Sequence, residues 1–178
     1  MEYSVVNSEV VYRGRLFRVR RDEVILPGGG TKSVEVVEHP GAVTLVPVDG
    51  EGRVWFVRQY RHATGERLLE LPAGTLDPGE SPEACAAREC REEIGMAPGR
   101  LTPLGGLFLA PGYSSEYIHL FLAQDLHPAP LPGDEDEALA IELIPFAEIA
   151  SRVWQGDLRD AKSLAALLLA SLDLGPLN

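Results

Sequence analysis

Short runs of apolar residues, separated by polar and turn-forming residues, dominate the first part of the chain. Between residues 3 and 39 the apolar runs alternate with polar positions, and a Pro-Gly-Gly-Gly sequence at residues 27–30 lies between two of them. Glycine is the residue that tight turns between strands most often require. The pattern therefore predicts a β-hairpin with its turn at residues 27–30.

Two further runs, at residues 42–48 and 54–57, are short and rich in β-branched side chains. An Asp-Gly-Glu-Gly sequence at residues 49–52 separates them. This arrangement favours two strands joined by a tight turn, so we expect a second hairpin here. Residues 72–81 contain so much glycine and proline that we expect a loop.

One helix is predicted in the centre of the chain. Ser81 suits the N-cap position, Pro82 the first helical position, and Glu83 the first turn, where the helix dipole favours an acid. Gly95 is a typical residue for ending a helix. The helix is therefore expected to run from residue 82 to about residue 94.

The remaining pattern predicts the fold class. Strands are predicted at residues 101–109, 117–123 and 139–144, an acidic, proline-rich loop at 127–137, and helices at 146–155 and 160–172. This order of elements predicts an α/β (α+β) fold in which a mixed β-sheet is sandwiched between helices. We expect two regions: a small antiparallel β-lobe over residues 1–40 and a main domain over residues 41–178.

Composition narrows the classes of partner. The net charge of −11 argues against a nucleic-acid partner, because such proteins usually carry a basic surface. No apolar run reaches membrane-spanning length and no leader pattern opens the sequence, so no membrane partner is expected. Cys85 and Cys90 lie five residues apart in the predicted helix, which points them to different sides. We expect buried, reduced thiols, in agreement with a cytoplasmic location.

The predicted helix carries an unusual group of acids. Glu89, Glu92 and Glu93 are spaced so that all three carboxylates can share one helix face. Their like charges repel, and two of them lie in the last turn, where the helix dipole favours cations. An ordinary solvated face, with Arg88 and Arg91 as charge partners, is the alternative. A bound divalent cation would reverse both penalties, which makes the group a candidate metal site.

The spacing around these acids is similar to a known family motif. Gly74 is followed after five residues by Glu80 and, after seven more, by the sequence Arg-Glu-Cys-Arg-Glu-Glu-Ile-Gly-Met at residues 88–96. This stretch resembles the Nudix box at every fixed position. Cys90 is one mild departure, since the family usually has a bulky aliphatic residue there. The resemblance covers 23 residues directly, and the order of strands and helices around it also resembles the Nudix fold.

The resemblance implies metal-dependent hydrolysis of a diphosphate linkage. In family members the helix glutamates hold magnesium, and Mn²⁺ or a similar ion is possible; oxygen ligands suit such hard cations. By position, the resemblance implies Glu89 and Glu93 as the principal metal ligands and Glu92 as a third ligand. Glu92 and Glu93 are also candidate catalytic residues. Ala73 would add its backbone carbonyl. Arg88 is expected to pair with Glu80 and so hold the glycine-rich loop against the helix, without contacting the metal itself. Glu80 is also a candidate substrate contact.

Further stretches resemble the ADP-ribose pyrophosphatase branch of the family. They are Val-Arg-Gln-Tyr-Arg at residues 57–61 followed by Leu-Glu-Leu-Pro-Ala-Gly at 69–74, Ala-Pro-Gly-Tyr-Ser-Ser-Glu at 110–116, and the acidic loop at 134–137. The resemblance implies substrate contacts from Arg61, Arg58, Gly112 and Glu116; a planar guanidinium suits a diphosphate. Each arginine could equally be an ordinary surface residue, and Glu116 a plain loop acid.

The acidic loop and the β-lobe complete the list of candidates. In similar enzymes a loop glutamate activates the water and another approaches a metal ion, which here implies Glu135 and Glu137. The β-lobe of this branch is commonly exchanged or packed across a homodimer, where Leu16 and Glu35 would contact the substrate. Leu16 and Glu35 could equally be ordinary residues of the lobe.

The sequence leaves three functions open. The first is hydrolysis of ADP-ribose, a small-molecule nucleotide substrate, to AMP and ribose 5-phosphate. The second is hydrolysis of another nucleotide sugar or dinucleotide, such as GDP-mannose or NADH. The third is a sensing module that binds a nucleotide without cutting it. The intact acids Glu89, Glu92 and Glu93 argue against the sensing module, because they weaken the helix unless a cation is bound.

Overall fold

The structure is a computed structural model that describes residues 3–133 and 138–175. These residues divide into two compact units. The first unit contains the described residues up to Gly41 together with Phe108–Tyr117, and the second contains the remainder. The first unit therefore includes a segment near residue 110 that lies outside the predicted lobe of residues 1–40.

The first unit is built on a three-stranded antiparallel sheet. Its strands are β1 (Ser4–Arg13), β2 (Arg18–Ile25) and β3 (Thr31–Glu38), in that spatial order. The hairpin of β2 and β3 turns at residues 27–30, where the amide of Leu26 donates to the carbonyl of Gly30 over 3.0 Å. This confirms the hairpin predicted at the glycine-rich turn. Every residue of β1 is exposed, which makes β1 an open edge strand.

The second unit holds the following elements: β4 (Ala42–Pro47), β5 (Arg53–Arg61), β6 (Glu66–Glu70), β7 (Ala73–Thr75), α1 (Pro82–Glu93), β8 (Met96–Phe108), β9 (Tyr117–Pro128), β10 (Ala140–Pro145), α2 (Ile149–Trp154) and α3 (Ala161–Leu174). One of its sheets has the strand order β7-β4-β9-β8, and the other has the order β10-β5-β6. A 3-10 turn at Phe146–Glu148 precedes α2.

The strand β4 lies at the centre of this unit, and all six of its residues are buried. Ala42 and Val46 belong to a core cluster that includes residues of α3, whereas Val43 and Leu45 belong to a second cluster that includes residues of α1. Alternate residues of a strand point to opposite faces of its sheet. The sheet is therefore covered by α1 on one face and α3 on the other, as the predicted α/β sandwich requires.

Two predictions about local structure are wrong. Residues 42–48 and 54–57 do not form a hairpin beyond a single bridge between Val48 and Val54. Instead β4 pairs with β7 and, in parallel, with β9, so both of its edges are occupied and β5 joins the other sheet. The segment 72–81 is not wholly a loop, because Ala73–Thr75 pairs with β4 as an edge strand despite its glycine. In both cases long-range pairing outweighs local sequence preference.

The helix α3 begins at a well-formed cap. Asp160 precedes the helix, and its side chain accepts a hydrogen bond from the amide of Ser163 over 3.0 Å.

The helix contains 14 residues, whereas a membrane-spanning helix needs about 20. None of the helices within residues 3–133 and 138–175 is long and apolar enough to cross a membrane.

Candidate active site

The helix α1 presents the acids of the box, and its ends are fixed as the sequence predicts. Ser81 caps the first turn by accepting a hydrogen bond from the amide of Ala84 over 3.2 Å, and Pro82 opens the helix. Gly95 has a φ of +71°, a backbone conformation that favours glycine and turns the chain out of the helix. Because the helix begins after Ser81 and ends before Gly95, Glu92 and Glu93 lie in its last turn.

Arg88 is the centre of an ion-pair cluster on this helix. Its Nε and Nη2 donate to the two carboxylate oxygens of Glu80, each over 2.9 Å, and Nη1 donates to Glu89 over 2.6 Å and to Glu92 over 2.8 Å. Nη2 also donates to the carbonyl of Thr75 over 3.2 Å. The bidentate hydrogen bonds from Arg88 lower the pKa of Glu80 to about 2. Arg88 thus ties the loop before α1 and the edge strand β7 to the helix.

Glu89 lies directly against the backbone of Gly74. A Cβ atom built on Gly74 would come within 1.8 Å of the Oε1 atom of Glu89, far inside any permitted contact. Only glycine allows the carboxylate and this strand to approach so closely. The first fixed glycine of the box therefore has a structural reason: it makes room for the glutamate fifteen residues later. Glu89 itself is 8% exposed.

Glu93 lies against the same short strand. Its Oε2 atom accepts a hydrogen bond from the amide of Ala73 over 3.0 Å, and the residue is 9% exposed. The structure therefore brings Ala73, Glu89 and Glu93 together at the junction of β7 and α1. Glu92, one residue before Glu93, is held on the Arg88 side and is more accessible, with a quarter of its side chain exposed.

The chemistry of these donors fits a hard divalent cation. Among the described residues, no three His, Cys, Asp or Glu side chains are arranged as a metal site, and Arg88 bridges Glu89 and Glu92. The donors themselves are carboxylate and carbonyl oxygens, which Mg²⁺ and Mn²⁺ prefer. The two candidates Glu135 and Glu137 lie outside the described residues.

The thiols of α1 do not take part in metal or nucleophilic chemistry. Both Cys85 and Cys90 are free and fully buried, as the sequence predicts. Burial raises the pKa of each thiol to about 12. Because the thiolate is the reactive form, both side chains remain inert thiols at neutral pH. They instead fill the space between α1 and the sheet.

Arg61, at the end of β5, is held in a bidentate pair with a buried acid. Its Nε and Nη2 donate to the two oxygens of Glu70 over 2.8 and 2.7 Å, and the side chain is still 40% exposed. Burial alone would raise the pKa of Glu70, but hydrogen bonds from Arg61 and Lys162 outweigh burial and lower it. Glu70 and Lys162 are not among the site residues that the sequence predicts. A single acid inside the apolar stretch at residues 68–71 was the available signal.

Arg58 has a different environment from Arg61. Its guanidinium donates to Glu142 on β10 and, over 3.0 Å, to Asp157 in the segment after α2. Arg152 also donates to Asp157 over 3.0 Å. Hydrogen bonding to Glu142 raises the pKa of Arg58. These contacts account for the position of Arg58 without a substrate.

The remaining candidates lie in the first unit. Gly112 is exposed, and Glu116 is half-buried, with its amide donating to the hydroxyl of Ser114 over 3.1 Å. Leu16 is 55% exposed. Glu35 is exposed and accepts a 3.4 Å hydrogen bond from Arg21. None of these contacts is specific to a nucleotide.

Comparison with family models divides the chain in two. Residues 4–37 match the model described as the nucleoside diphosphate sugar hydrolase N-terminal domain. Residues 38–167 match the model described as the NUDIX domain. The second match spans well over half of the chain and includes Glu80, Glu89, Glu92 and Glu93.

Individual proteins are similar to this chain along most of their length. The chain is 41% identical over 170 residues to the ADP-ribose pyrophosphatase of Mycobacterium tuberculosis, covering 94% of this chain and 82% of that protein. It is 32% identical over 169 residues to the ADP-ribose pyrophosphatase of Bacillus subtilis, covering 94% and 91%. A crystal structure of an ADP compounds hydrolase matches with a TM-score of 0.88 at 32% identity, covering 98% of this chain and 95% of that chain. With the helix acids and Gly74 arranged as described, these matches identify the chain as a member of the NUDIX family of hydrolases.

Proposed function

We propose that this protein hydrolyses the diphosphate linkage of ADP-ribose to give AMP and ribose 5-phosphate. The observation that carries this proposal is the junction of β7 and α1, where Ala73, Glu89 and Glu93 meet. The substrate is taken from the two ADP-ribose pyrophosphatases, each of which matches 94% of this chain.

The proposed metal ligands are Glu89, Glu93 and the carbonyl of Ala73, with Glu92 as a third carboxylate. Glu137 is proposed as a further ligand on the strength of the sequence alone. The ion is divalent, with Mg²⁺ proposed and Mn²⁺ as a substitute, since both prefer oxygen donors. When bound, such an ion polarises the phosphoryl group and lowers the pKa of a coordinated water. Gly74 keeps the backbone close enough for these residues to act together.

The general base that accepts a proton from the attacking water is proposed to be Glu92 or Glu135. A base must be reachable by water, and Glu92 is more exposed than its neighbour Glu89, whose side chain is 11% exposed against 25%. Attack at phosphorus breaks one phosphorus–oxygen bond of the diphosphate, and the leaving phosphate group keeps the bridging oxygen. Glu93 is proposed to act through the metal and not as the base, because its Oε2 atom is engaged by Ala73.

The substrate contacts are proposed to include Arg61, Gly112 and Glu116, and we assign a structural role to Arg58 and Glu80. In the Arg61–Glu70 pair, Nε and Nη2 face Glu70, so Nη1 is the nitrogen that can face a phosphate oxygen. Glu80 has both carboxylate oxygens engaged by Arg88, and the guanidinium of Arg58 is engaged by Glu142 and Asp157.

A homodimer is proposed on the basis of the first unit, with contacts from Leu16 and Glu35 to the substrate. The exposed apolar side chains in and next to β1 support this proposal: Tyr3, Val5, Val6, Val10, Val11, Tyr12, Leu16 and Phe17. An open edge strand with so much apolar surface is normally covered by a partner. Light scattering in solution tests the dimer directly. The cytoplasmic location stays a prediction from the sequence.

A substrate panel tests the proposed function. ADP-ribose, GDP-mannose and NADH are incubated with the protein and Mg²⁺, with EDTA in matched reactions, and the products are separated by ion-exchange chromatography. We expect AMP and ribose 5-phosphate from ADP-ribose, faster than products from either other compound, and none in EDTA. Equal or faster turnover of GDP-mannose or NADH would contradict the substrate assignment. Binding of ADP-ribose without any product would instead support a sensing module.

A further inference from the structure

A second group of charged residues lies at the N-terminus of α3, and Arg61 at one end of it also interacts electrostatically with Glu93 of α1. The ammonium of Lys162 donates to the Oε2 atom of Glu70 and, over 2.8 Å, to Asp160. Arg61 donates to the same Glu70 carboxylate through two bonds. The four side chains form a continuous row, Arg61–Glu70–Lys162–Asp160, in which two cations alternate with two acids.

The two middle members of the row are buried, and its two ends are more exposed. Arg61 is 40% exposed at one end, whereas the side chains of Glu70 and Lys162 are 1% and 11% exposed. Asp160 closes the other end by capping α3, where its Oδ2 atom accepts hydrogen bonds from both the amide and the hydroxyl of Ser163. Arg61 is the more accessible end of the row, because the side chain of Asp160 is 17% exposed and its Oδ2 atom is engaged by α3.

The N-terminus of α3 also holds Leu71, the residue that follows Glu70 in the chain. The hydroxyl of Ser163 accepts a hydrogen bond from the amide of Leu71 over 2.8 Å, in a fully buried position. The segment of residues 70–74 is thus held at Glu70 and Leu71 by α3, and at Ala73 by Glu93 of α1. It connects Glu70, inside the charged row, to the proposed metal site.

Stability alone does not explain a row of charges in the core. Removing two charges from water carries a large desolvation penalty, and well-packed apolar residues of similar size commonly give equal or greater stability. A buried ionic row does fix one geometry, because each charge must face its partners. For an arginine that binds an anionic substrate, being held in one geometry beforehand reduces the entropy lost on binding.

We propose that Lys162 and Asp160 are positioning residues for the substrate: through Glu70 they hold Arg61 in the orientation in which Nη1 faces the diphosphate. The inference rests on the proposed function, because it requires that Arg61 contact the substrate. Lys162 and Asp160 themselves touch neither substrate nor metal. Removing the ammonium of Lys162 leaves Glu70 with Arg61 as its one remaining cation of the row, so the pair can rotate together and Arg61 loses its orientation.

The test replaces Lys162 by methionine, which keeps the length of the side chain and removes its charge. The matched control is Arg159→Met, which breaks an exposed ion pair with Glu66 on the same strand as Glu70. Both are made in the full chain and in the Arg61→Gln background. KM and kcat for ADP-ribose with Mg²⁺ are measured well below the thermal midpoint of each variant, and binding of ADP-ribose in EDTA is measured by calorimetry.

A positioning role predicts a KM for Lys162→Met that is raised about tenfold, with kcat changed much less, and a matching loss of affinity in EDTA. In the Arg61→Gln background, Lys162→Met should change neither quantity further, because residues that act as a unit are not additive. Arg159→Met should leave KM unchanged in both backgrounds. Asp160→Asn retains the helix cap and removes the charge, so it is used in the same way if Lys162→Met does not fold.

The contrary outcomes are distinct from one another. If the starting protein hydrolyses ADP-ribose and Lys162→Met lowers only the thermal midpoint, the inference is wrong and the proposed function stands. If KM rises equally with and without Arg61, Lys162 does not act through Arg61, and the inference is again wrong. If the starting protein does not hydrolyse ADP-ribose, the proposed function is wrong and the inference fails with it.

Discussion

Two charged clusters lie at the two ends of the segment 70–74, and they differ in their balance of charge. In the α1 cluster, Arg88 forms ion pairs with three carboxylates, those of Glu80, Glu89 and Glu92. In the α3 cluster, the row that starts at Arg61 and ends at Asp160 contains two cations and two acids. Both clusters contain buried carboxylates, so burial does not distinguish them.

The balance of charge does distinguish them. A buried group of charges is stable when each charge is matched, as in the α3 cluster. Within the ion pairs of the described residues, the α1 cluster sets three carboxylates against one guanidinium near the C-terminal end of a helix, where the dipole adds to the repulsion between the acids. An excess of this kind is relieved when a cation binds, whereas a balanced row has no need of one. We therefore expect substitutions in the α1 cluster to affect turnover, and those in the α3 cluster to affect stability and substrate affinity.

The largest expected effect is the loss of turnover when Glu93 is replaced by glutamine. The amide can still accept the hydrogen bond from Ala73, so the fold is retained, but the negative charge is lost. We expect kcat for ADP-ribose to fall by about 10²- to 10³-fold, the scale seen when a group that stabilises the transition state is removed. Glu83→Gln, an exposed acid in the first turn of the same helix, is the control and should retain full activity. Turnover that survives in Glu93→Gln would remove Glu93 from the mechanism.

The next effect separates the two clusters by stability. Replacing Glu70 by glutamine leaves Lys162 and Arg61 without their shared counter-charge in a buried position, which should lower the free energy of unfolding by about 3–5 kcal/mol. Glu66→Gln, which breaks the exposed pair with Arg159, should lower it by about 0–1 kcal/mol. Urea unfolding of the metal-free proteins measures both values. Equal, small losses would show that the α3 cluster is not held together by matched charge.

The sequence predicts the two clusters unequally, and the reason is the distance along the chain. The acids of α1 lie within one helix, so their spacing alone puts Glu89, Glu92 and Glu93 on a shared face. The contact between Glu70 and Lys162 joins residues 92 positions apart, through a packing of α3 on the sheet that no local pattern encodes. The sequence predicts that Asp160 begins the last helix. That position does not reveal that Asp160 also pairs with Lys162.

The fold shows the same limit. The ends of α1 are set by Ser81 and Gly95, which are local signals, and the structure confirms them. The error at residues 42–57 has a different cause: a turn sequence between two β-rich runs predicts a hairpin, whereas β4 is occupied on both edges by strands distant in sequence. The nearly continuous apolar run at residues 42–47 was the available signal, because such a run is typical of a strand that is buried on both faces and therefore central.

The smallest effect concerns how the free energy of unfolding decreases at acidic pH. It tests how strongly charge holds the α1 cluster together. Arg88 lowers the pKa of Glu80 from 4.5 to about 2. A carboxyl group whose pKa is lower in the folded protein stabilises the fold fully above pH 4.5, and this contribution is lost as the pH falls through about 2.

In Glu80→Gln this contribution is absent at every pH, so we expect its urea midpoint to fall less steeply between pH 4.5 and 2 than that of the unsubstituted chain. The other carboxyl groups titrate in both proteins, and the difference between the two curves therefore reports Glu80. Parallel curves would mean that Arg88 does not hold Glu80 as a charged partner. In that case its guanidinium is shared mainly by Glu89 and Glu92, and the α1 cluster is closer to balance than the contacts indicate.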